Sequence, residues 1–553
     1  MSALAIIALS QGYRVSGSDA RAGAQLDAVR EAGATCFVGH DARHVGGSDA
    51  QDDAREDEAL TLVDPPDLVV VSSAVPGDNV EVAFARRVGI PVFSRAQWLA
   101  RVTRGRAVAA VAGTHGKTST SAALAVALRS AGLDVSAVVG GNVPQFPGGR
   151  NAVGGGDDVF VVEADEYDGA FLGLEPAVAV LLNVEHDHPD MFKDERAVVA
   201  MFARFVRRVR PGGLVVACGD DANVRALVAT LAVRDDDFRD AFRDDPRDPR
   251  DAEAVSCVTF GFGAANAWRA VDVRADARTG GCSFTVTHRG AFVSEMSVPG
   301  TGAYAALNAL AAFVAGFEIL RRARAERSAA TDRLVRSLAE SLATHEGVAR
   351  RMQMIGATER VAVYDDYAHH PTAARLATAA IKERHAGAFL AVAFQPHTRS
   401  RTEAMFDAFA DALGGEGGVD ALVVTPVFDA RPERQGQIRG SEDEASGAEA
   451  SDLAARLAAR AGGAFAATEA EAVDAVVDAV RDATTSTKTR PAREDDFHGK
   501  KQVVVLCLGA GAGFDVARRV FARLDERDPG SASGSAAESR SAASRHDADE
   551  TTR

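Results

Sequence analysis

A glycine loop followed by a lysine and a hydroxyl lies near residue 115. Gly113-Thr114-His115-Gly116 precedes Lys117 and Thr118. Glycines allow backbone N–H groups to point into such a loop, the lysine reaches terminal phosphates and the hydroxyl binds Mg²⁺. The first glycine of the general motif G-x-x-x-x-G-K-[ST] is Val111 here, so only the end of that motif matches. The segment predicts a phosphate-binding loop, with an ordinary strand-to-helix turn as the alternative.

Two further polar clusters follow apolar runs. Glu163-Ala164-Asp165-Glu166-Tyr167-Asp168 comes after an apolar segment, and Asn183-Val-Glu-His-Asp187-His188-Pro-Asp190 comes after another. Carboxylate oxygens suit Mg²⁺, which prefers oxygen ligands. The first cluster therefore predicts a metal site, and a solvated acidic loop is the alternative.

Strands must bring these groups together. Val108–Ala112 and Ala177–Leu182 are short apolar runs that read as buried strands. In open parallel sheets, ligands bind beyond the carboxyl ends of the strands. Strands that alternate with helices predict an α/β fold with mostly parallel sheets.

Composition limits the class of protein. The chain has 553 residues, enough for three domains of about 150 residues. Its net charge of −16 gives no basic footprint for nucleic acid. Five scattered cysteines without a C-x-x-C pair indicate reduced thiols rather than a disulfide or zinc framework. The sequence has no uninterrupted run of 18 apolar residues, so it predicts no membrane span, and the first residues lack a signal-peptide pattern.

Several motifs together resemble those of the Mur ligases, which form amide bonds in peptidoglycan precursor synthesis. The loop reads G-T-H-G-K-T, and the acidic cluster is similar to E-A-D-E-[SY]-D. Residues 183–190 match N-x-x-x-D-H-x-D, and 365–372 match D-D-Y-[AG]-H-H-P-T. The resemblance implies three domains: a Rossmann-like UDP-binding domain (1–105), a central P-loop ATPase-type parallel-sheet domain (106–330) and a C-terminal Rossmann-like domain (331–525). It leaves an acidic insertion (234–253), which we expect to be disordered, and a disordered tail (526–553).

The resemblance also implies a role for individual residues. Lys117, Glu163, His188 and Arg351 would be catalytic, and Thr118, Glu163 and His188 would hold Mg²⁺. The residues expected to contact ATP are Gly113, Thr114, His115, Gly116, Lys117, Thr118, Ser119, Asn308, Arg351 and Asp366. Those expected at the UDP-sugar are Asp19, His40, Ser72 and Ser73. Those expected at the amino acid are Tyr367, His369, His370, His397 and Arg401.

The sequence departs from the family pattern in two places. The family's first strand and glycine-rich UDP loop have no counterpart before Met1, and we expect that the chain starts at an internal methionine. The alternative is a protein that lacks this loop and binds UDP poorly. The helix-opening pattern G-x-H-N-x-x-N-A is met at Gly302 and Asn308, but Tyr304-Ala305 replaces His-Asn. In the family that pattern lies near the adenine, so the departure concerns the use of ATP.

The implied activity is ATP-dependent joining of L-alanine to UDP-N-acetylmuramate through an acyl phosphate, because 394–402 resembles F-Q-P-H-[RT]-x-[ST]-R-T. The alternatives are a ligase for a recycled muramyl peptide and a non-catalytic nucleotide-binding relative. The expected partners are the three small-molecule substrates, without nucleic acid or membrane, for a monomer or homodimer. The expected location is the cytoplasm, or the plastid stroma in a photosynthetic eukaryote.

Overall fold

A computed structural model describes most of the chain, with gaps inside it and at its end. The described residues are 1–47, 64–156, 158–229, 255–276, 280–324, 329–415, 418–428, 442–485, 502–511 and 513–525. The predicted acidic insertion at 234–253 and the predicted tail at 526–553 lie outside them.

The first domain carries two small parallel sheets. Its elements are α1 (Ser2–Ser10), β1 (Ser16–Asp19), α2 (Ala24–Glu31), β2 (Thr35–Val38), β3 (Val69–Val71), α3 (Val80–Val88), β4 (Val92–Ser94) and α4 (Arg95–Val102). Strand β1 pairs with β2, and β3 pairs with β4. No pairing joins the two sheets within the described residues, so the continuous sheet of a Rossmann-like domain is divided here. The apolar side of α1 packs into the core of the central domain, beside Phe160 and Val162.

The central domain is built on a sheet of ten strands. Its strands are β5 (Val108–Ala112), β6 (Val135–Val138), β7 (Ala152–Val153), β8 (Val159–Glu163), β9 (Val178–Leu181), β10 (Leu214–Cys218), β11 (Ser256–Gly261), β12 (Trp268–Asp276), β13 (Gly281–His288) and β14 (Ala291–Val298). Its helices are α5 (Lys117–Ser130), α6 (Glu195–Val206), α7 (Ala222–Ala229), α8 (Ala303–Arg324) and α9 (Ala329–Ala343).

Strand order explains where the central loops meet. The order is β14-β13-β12-β11-β10-β9-β5-β8-β6-β7, and β5 pairs in parallel with both β8 and β9. The chain therefore changes direction across the sheet at β5, which is where open parallel sheets bind ligands. Antiparallel strands β13, β14 and β7 flank the parallel part, so the sheet is mixed rather than wholly parallel.

Helix α8 is the apolar centre of this domain. Its segment Ala303–Ala323 is long and apolar enough for a membrane span, with a mean hydropathy of 1.6, yet 72% of that window is buried in the protein. Leu310, Phe313 and Leu320 are fully buried against the sheet and its helices. Core packing accounts for this composition.

The third domain has a six-stranded sheet with helices on both faces. Its strands are β15 (Gln353–Ala357), β16 (Val361–Asp366), β17 (Phe389–Gln395), β18 (Ala421–Val424), β19 (Ala464–Phe465) and β20 (Val503–Gly509), in the order β15-β16-β20-β17-β18-β19. Its helices are α10 (Pro371–Arg384), α11 (Arg399–Ala404), α12 (Phe406–Leu413), α13 (Glu442–Ala461), α14 (Glu469–Thr485) and α15 (Gly513–Asp525). Only β15 runs antiparallel to its neighbour.

Helix α9 begins at the expected domain boundary near residue 330 and packs on the central domain. Its Leu334, Leu338 and Leu342 are buried in the core of the central domain. Val348 lies in the same core, so the packed interior of the central domain continues to that residue.

Candidate active site

The glycine loop is fixed by two neighbouring elements. A Cβ on Gly113 (φ 149°) would lie 2.9 Å from Cβ of Leu182, and one on Gly116 (φ 82°) would lie 2.5 Å from Oδ1 of Asn308. Both positions therefore require glycine. Asn183 adds a reciprocal pair of bonds, in which its Oδ1 accepts from the His115 amide at 2.7 Å and its Nδ2 donates to the His115 carbonyl at 3.1 Å.

Lys117 lies at the centre of the loop. Its Nζ donates to the Gly113 carbonyl at 2.6 Å and to both oxygens of Glu166 at 3.0 and 2.9 Å. Burial alone would lower the pKa of Lys117, but the carboxylates of Glu166 and Asp165 outweigh burial and raise it. Burial raises the pKa of Glu166 to about 7, against the opposing effect of Lys117. A buried lysine with a weakly acidic counter-ion is suited to exchange that partner for a phosphate.

Thr118 and Glu163 lie together as the proposed Mg²⁺ ligands. The Thr118 hydroxyl donates to Oε1 of Glu163 at 2.8 Å. The Gly140 amide donates to Oε2 of Glu163, and a Cβ on Gly140 would lie 2.7 Å from both carboxylate oxygens. Two hard oxygen donors in contact, with a glycine leaving room beside them, fit Mg²⁺.

His188 lies near Glu166, the carboxylate partner of Lys117. Its Nε2 is 3.8 Å from Oε1 of Glu166, and its Nδ1 accepts from Nη2 of Arg401 at 3.3 Å. Burial lowers the pKa of His188, so the ring is neutral at neutral pH and retains a lone pair. The backbone of His188 has φ 55°, in the left-handed region, which is strained for residues other than glycine. Such strained residues are common at functional sites.

Two adjacent arginines from the third domain face different ways. Arg351 donates from Nη2 to the Thr118 hydroxyl at 2.9 Å, across the boundary between domains. Arg350 instead pairs with the buried carboxylate of Asp365 at 3.0 Å and donates to the Gly509 carbonyl at 2.7 Å. Arg351 is thus the arginine that reaches the end of the glycine loop.

Asp366 and Tyr367 form the turn beside these arginines. Asp366 accepts from the Met352 amide at 2.6 Å and the Ala368 amide at 2.8 Å, so its carboxylate shapes this turn. Burial raises its pKa despite the nearby Arg351. The Tyr367 ring lies 5.0 Å from the Arg351 guanidinium.

Four of the residues predicted to bind the amino acid are neighbours. The rings of Tyr367 and His369 are 5.0 Å apart, and those of His369 and His397 are 5.1 Å apart. Arg401 is buried, and its Nη1 lies 2.9 Å from Nδ1 of His397. Its Nε donates to Asp187 of the central domain at 2.7 Å, so this cluster also joins two domains.

The fifth residue, His370, lies elsewhere. It caps helix α10 and its ring is 4.6 Å from that of His115 in the glycine loop. It is therefore close to the predicted ATP site rather than grouped with the other four.

The residues predicted to bind the UDP-sugar lie on the two sheets of the first domain. His40 lies beside β1, where its Nδ1 is 3.0 Å from the Ser18 hydroxyl. Asp19 ends β1, and its carbonyl accepts from the Gly39 amide at 2.8 Å. Ser72 and Ser73 follow β3 on the other sheet.

Helix α8 begins beside the site with Tyr304-Ala305, the second of the two departures from the family pattern. Tyr304 is partly buried, and burial and Asp366 raise its pKa far above its usual range. Asn308 contacts the glycine loop through its Oδ1. Ser119 lies in the first turn of α5 and is partly buried.

Several residues of the site were not assigned from the sequence. Glu166, the partner of Lys117, belongs to the acidic cluster at 163–168, and nothing in the sequence indicated that it would be buried. Glu185 and Gly140 have no motif of their own. Asp187 belongs to the motif N-x-x-x-D-H-x-D, in which nothing indicated its pairing with Arg401.

Comparisons with known proteins agree with this arrangement. The family models described as "Mur ligase family, catalytic domain", "Mur ligase middle domain" and "Mur ligase, glutamate ligase domain" match residues 1–107, 111–316 and 350–511. The chain is 35% identical over 541 residues to UDP-N-acetylmuramate--L-alanine ligase of Frankia casuarinae, covering 95% of each chain.

Two solved structures share the fold. UDP-N-acetylmuramate-alanine ligase MurC of Thermotoga maritima has a TM-score of 0.65 at 23% identity, covering 95% of this chain and 96% of that one. A murein peptide ligase of Psychrobacter arcticus has a TM-score of 0.60 at 22% identity, covering 95% and 96%. The three matched domains and the full-length relative together establish that the chain belongs to the Mur ligase family.

Proposed function

We propose that this protein is a UDP-N-acetylmuramate–L-alanine ligase, which uses ATP and Mg²⁺ to form the amide bond. The contact between Arg351 and Thr118 carries the proposal, because it places a cation of the third domain on the ATP loop. The name of the Frankia casuarinae relative supports the choice of substrates. The same name and the F-Q-P-H stretch favour L-alanine over a muramyl peptide.

The first chemical step is phosphoryl transfer. A carboxylate oxygen of UDP-N-acetylmuramate attacks the γ-phosphorus of ATP, the bond to the β,γ-bridging oxygen breaks, and ADP leaves. Lys117 and Arg351 would stabilise the charge on the transferring group, because pre-positioned cations act where charge develops. Mg²⁺, when bound by Thr118, Glu163 and His188, supplies further charge neutralisation on the phosphates.

The second step is aminolysis of the acyl phosphate. The amine of L-alanine attacks the acyl carbon, phosphate leaves, and the amine loses a proton. We assign the amino-acid carboxylate to Arg401, because a guanidinium can hold a carboxylate through two hydrogen bonds, and its Nε donates to Asp187. Nδ1–H of His369 donates to the Tyr367 carbonyl at 2.8 Å, which leaves Nε2 as the nitrogen with the lone pair.

Binding of the sugar nucleotide is assigned to the first domain, through Asp19, His40, Ser72 and Ser73. The substrates are small molecules, and the protein acts as a monomer or homodimer. We place the reaction in the cytoplasm, or in the plastid stroma of a photosynthetic eukaryote.

The test measures ADP and phosphate release with each substrate omitted in turn. Release should require ATP, UDP-N-acetylmuramate and L-alanine together, and Lys117→Ala should abolish it. A requirement for a muramyl tripeptide acceptor would instead identify the recycling ligase, and nucleotide binding without any turnover would identify a non-catalytic relative. Normal turnover by Lys117→Ala would refute the role of the glycine loop.

A further inference from the structure

Three side chains of the types that coordinate metals lie together where the third domain contacts the glycine loop. They are His115 in the loop, Glu185 after β9 and His370 at the start of α10. We propose that His115, Glu185 and His370 bind a divalent transition-metal ion of the Zn²⁺ or Co²⁺ type, which bridges the central and third domains. This site shares no ligand with the Mg²⁺ site assigned above.

The geometry is close to that of a three-residue metal site. One ligand atom from each residue lies within 4.8 Å of the others. Tetrahedral bonds of about 2.0–2.1 Å separate neighbouring ligand atoms by about 3.4 Å. Nε2 of His115 and Oε2 of Glu185 are already 3.2 Å apart, and a His370 nitrogen lies within 4.8 Å of a ligand atom of each of the other two residues, so side-chain movements of about 1.5 Å would reach that spacing.

The hydrogen bonds of His370 prepare it as a ligand. Its Nε2 faces the His186 carbonyl at 3.2 Å, and a carbonyl only accepts, so Nε2 carries the proton. Its Nδ1 accepts from the Thr372 amide at 3.2 Å and therefore holds the lone pair. Metal-bound histidines usually donate their other N–H to a carbonyl or carboxylate, which fixes the tautomer in this way. An ion at Nδ1 would replace the Thr372 amide.

Glu185 is held in place from both domains. Its carboxylate oxygen accepts from the Thr372 hydroxyl at 2.8 Å, and its backbone amide donates to the Thr114 hydroxyl at 2.9 Å. The carboxylate is therefore oriented before any ion arrives, with one oxygen toward both His115 and the third domain. Such orientation reduces the entropy cost of assembling a metal site.

The protonation states at neutral pH also suit a metal. Burial, with a smaller effect of His115, lowers the pKa of His370 to about 4, so its imidazole is neutral. Burial alone would raise the pKa of Glu185, but the hydrogen bond from His115 contributes to lowering it to about 2. The ion would replace the proton between His115 and Glu185.

Ligand chemistry separates the two sites. Two imidazoles and one carboxylate suit zinc and cobalt, whereas Mg²⁺ prefers an oxygen-rich set such as Thr118 and Glu163. Mg²⁺ in excess should therefore leave the proposed site available to Co²⁺.

The experiment titrates metal-free, full-length protein with Co²⁺ in excess Mg²⁺, followed by calorimetry and by the visible absorption of nitrogen-ligated Co²⁺. Wild type should bind one Co²⁺ with that absorption. Glu185→Gln should weaken binding at least tenfold. Glu175→Gln is the matched control, because Glu175 pairs with Arg208 on the surface, and it should bind as wild type does.

Two more variants make the result decisive. Glu163→Gln removes a ligand of the Mg²⁺ site and should keep the Co²⁺ absorption. His370→Asn removes the imidazole but keeps a residue type that caps helices, so this variant should fold and lose the absorption. It tests the proposal independently if Glu185→Gln does not fold. Unchanged Co²⁺ affinity in Glu185→Gln or His370→Asn, or loss of the absorption in Glu163→Gln, would overturn the proposal. None of these readouts depends on ligase activity.

Discussion

Arg350 and Arg351 are adjacent, yet their substitution should affect different properties. Arg350 donates to Asp365, whose side chain is fully buried, and to the carbonyls of Gly509 and Ala510. Arg350→Ala would leave a buried carboxylate without its cation, which costs about 3–5 kcal/mol. For a domain of this size each kcal/mol lowers the unfolding temperature by about 2–4 °C, so the third domain should unfold about 6–20 °C lower.

Arg351→Ala removes a cation near Asp366, but among the described residues it breaks no hydrogen bond to a buried carboxylate. Its hydrogen bond to the Thr118 hydroxyl contributes about 0.5–1.5 kcal/mol to stability, so the unfolding temperature should change by a few degrees at most. Loss of a pre-positioned donor at the transferring group should instead lower kcat by about 10²–10³.

The assay combines scanning calorimetry of both variants with the rate of phosphate release under saturating substrates. Arg351→Lys is the control that keeps a charge, and it should recover part of the lost rate. If Arg350→Ala melted like wild type, or if Arg351→Ala kept the full rate, the division of roles between the two arginines would be wrong.

Three further substitutions test separate contacts. Gly140→Ala would place a methyl group 2.7 Å from both oxygens of Glu163 and should raise the Mg²⁺ concentration needed for half-maximal rate several-fold, while the KM of L-alanine stays unchanged. Burial raises the folded pKa of Glu166 to about 7 from a model-peptide value of 4.5. The fold therefore retains a proton that the unfolded chain releases, and stability should fall by about 3 kcal/mol as pH rises through this window. Denaturant unfolding of Glu166→Gln should lack this slope, and an unchanged slope would contradict the assignment. Arg401→Lys keeps a charge near Asp187 but loses the guanidinium fork, so steady-state kinetics should show a KM for L-alanine raised about tenfold or more and little change in the KM of ATP.

The sequence predicted the α/β class, and the family membership that it suggested is confirmed. Local chemistry made this possible, because glycines, a lysine and carboxylates at strand ends are visible as short patterns. The order of the strands then brings the loops after β5, β8 and β9 together, as expected for parallel sheets.

What the sequence could not predict are contacts between segments far apart in the chain. Glu166 looks like any other acid of its cluster, and only tertiary burial makes it the partner of Lys117. Gly140 has no motif, because its role is to leave space for Glu163. The separation of His370 from its neighbour His369 follows from the turn into α10, which directs the two rings to different surfaces.

The contacts between the third and central domains explain why the position of the third domain matters for both steps of the proposed reaction. Arg351 reaches Thr118, and Arg401 reaches Asp187, so in the proposed mechanism the third domain would supply one cation to the phosphates and another to the amino acid. Arg351 contacts the proposed Mg²⁺ ligand Thr118 itself, and Arg401 contacts Asp187, which is adjacent to the proposed ligand His188. A displacement of the third domain would therefore disturb phosphoryl transfer and amine positioning together. Because two anions and an amine must be held at once, a single rigid movement that sets both ends is a physical advantage over separate adjustment of each.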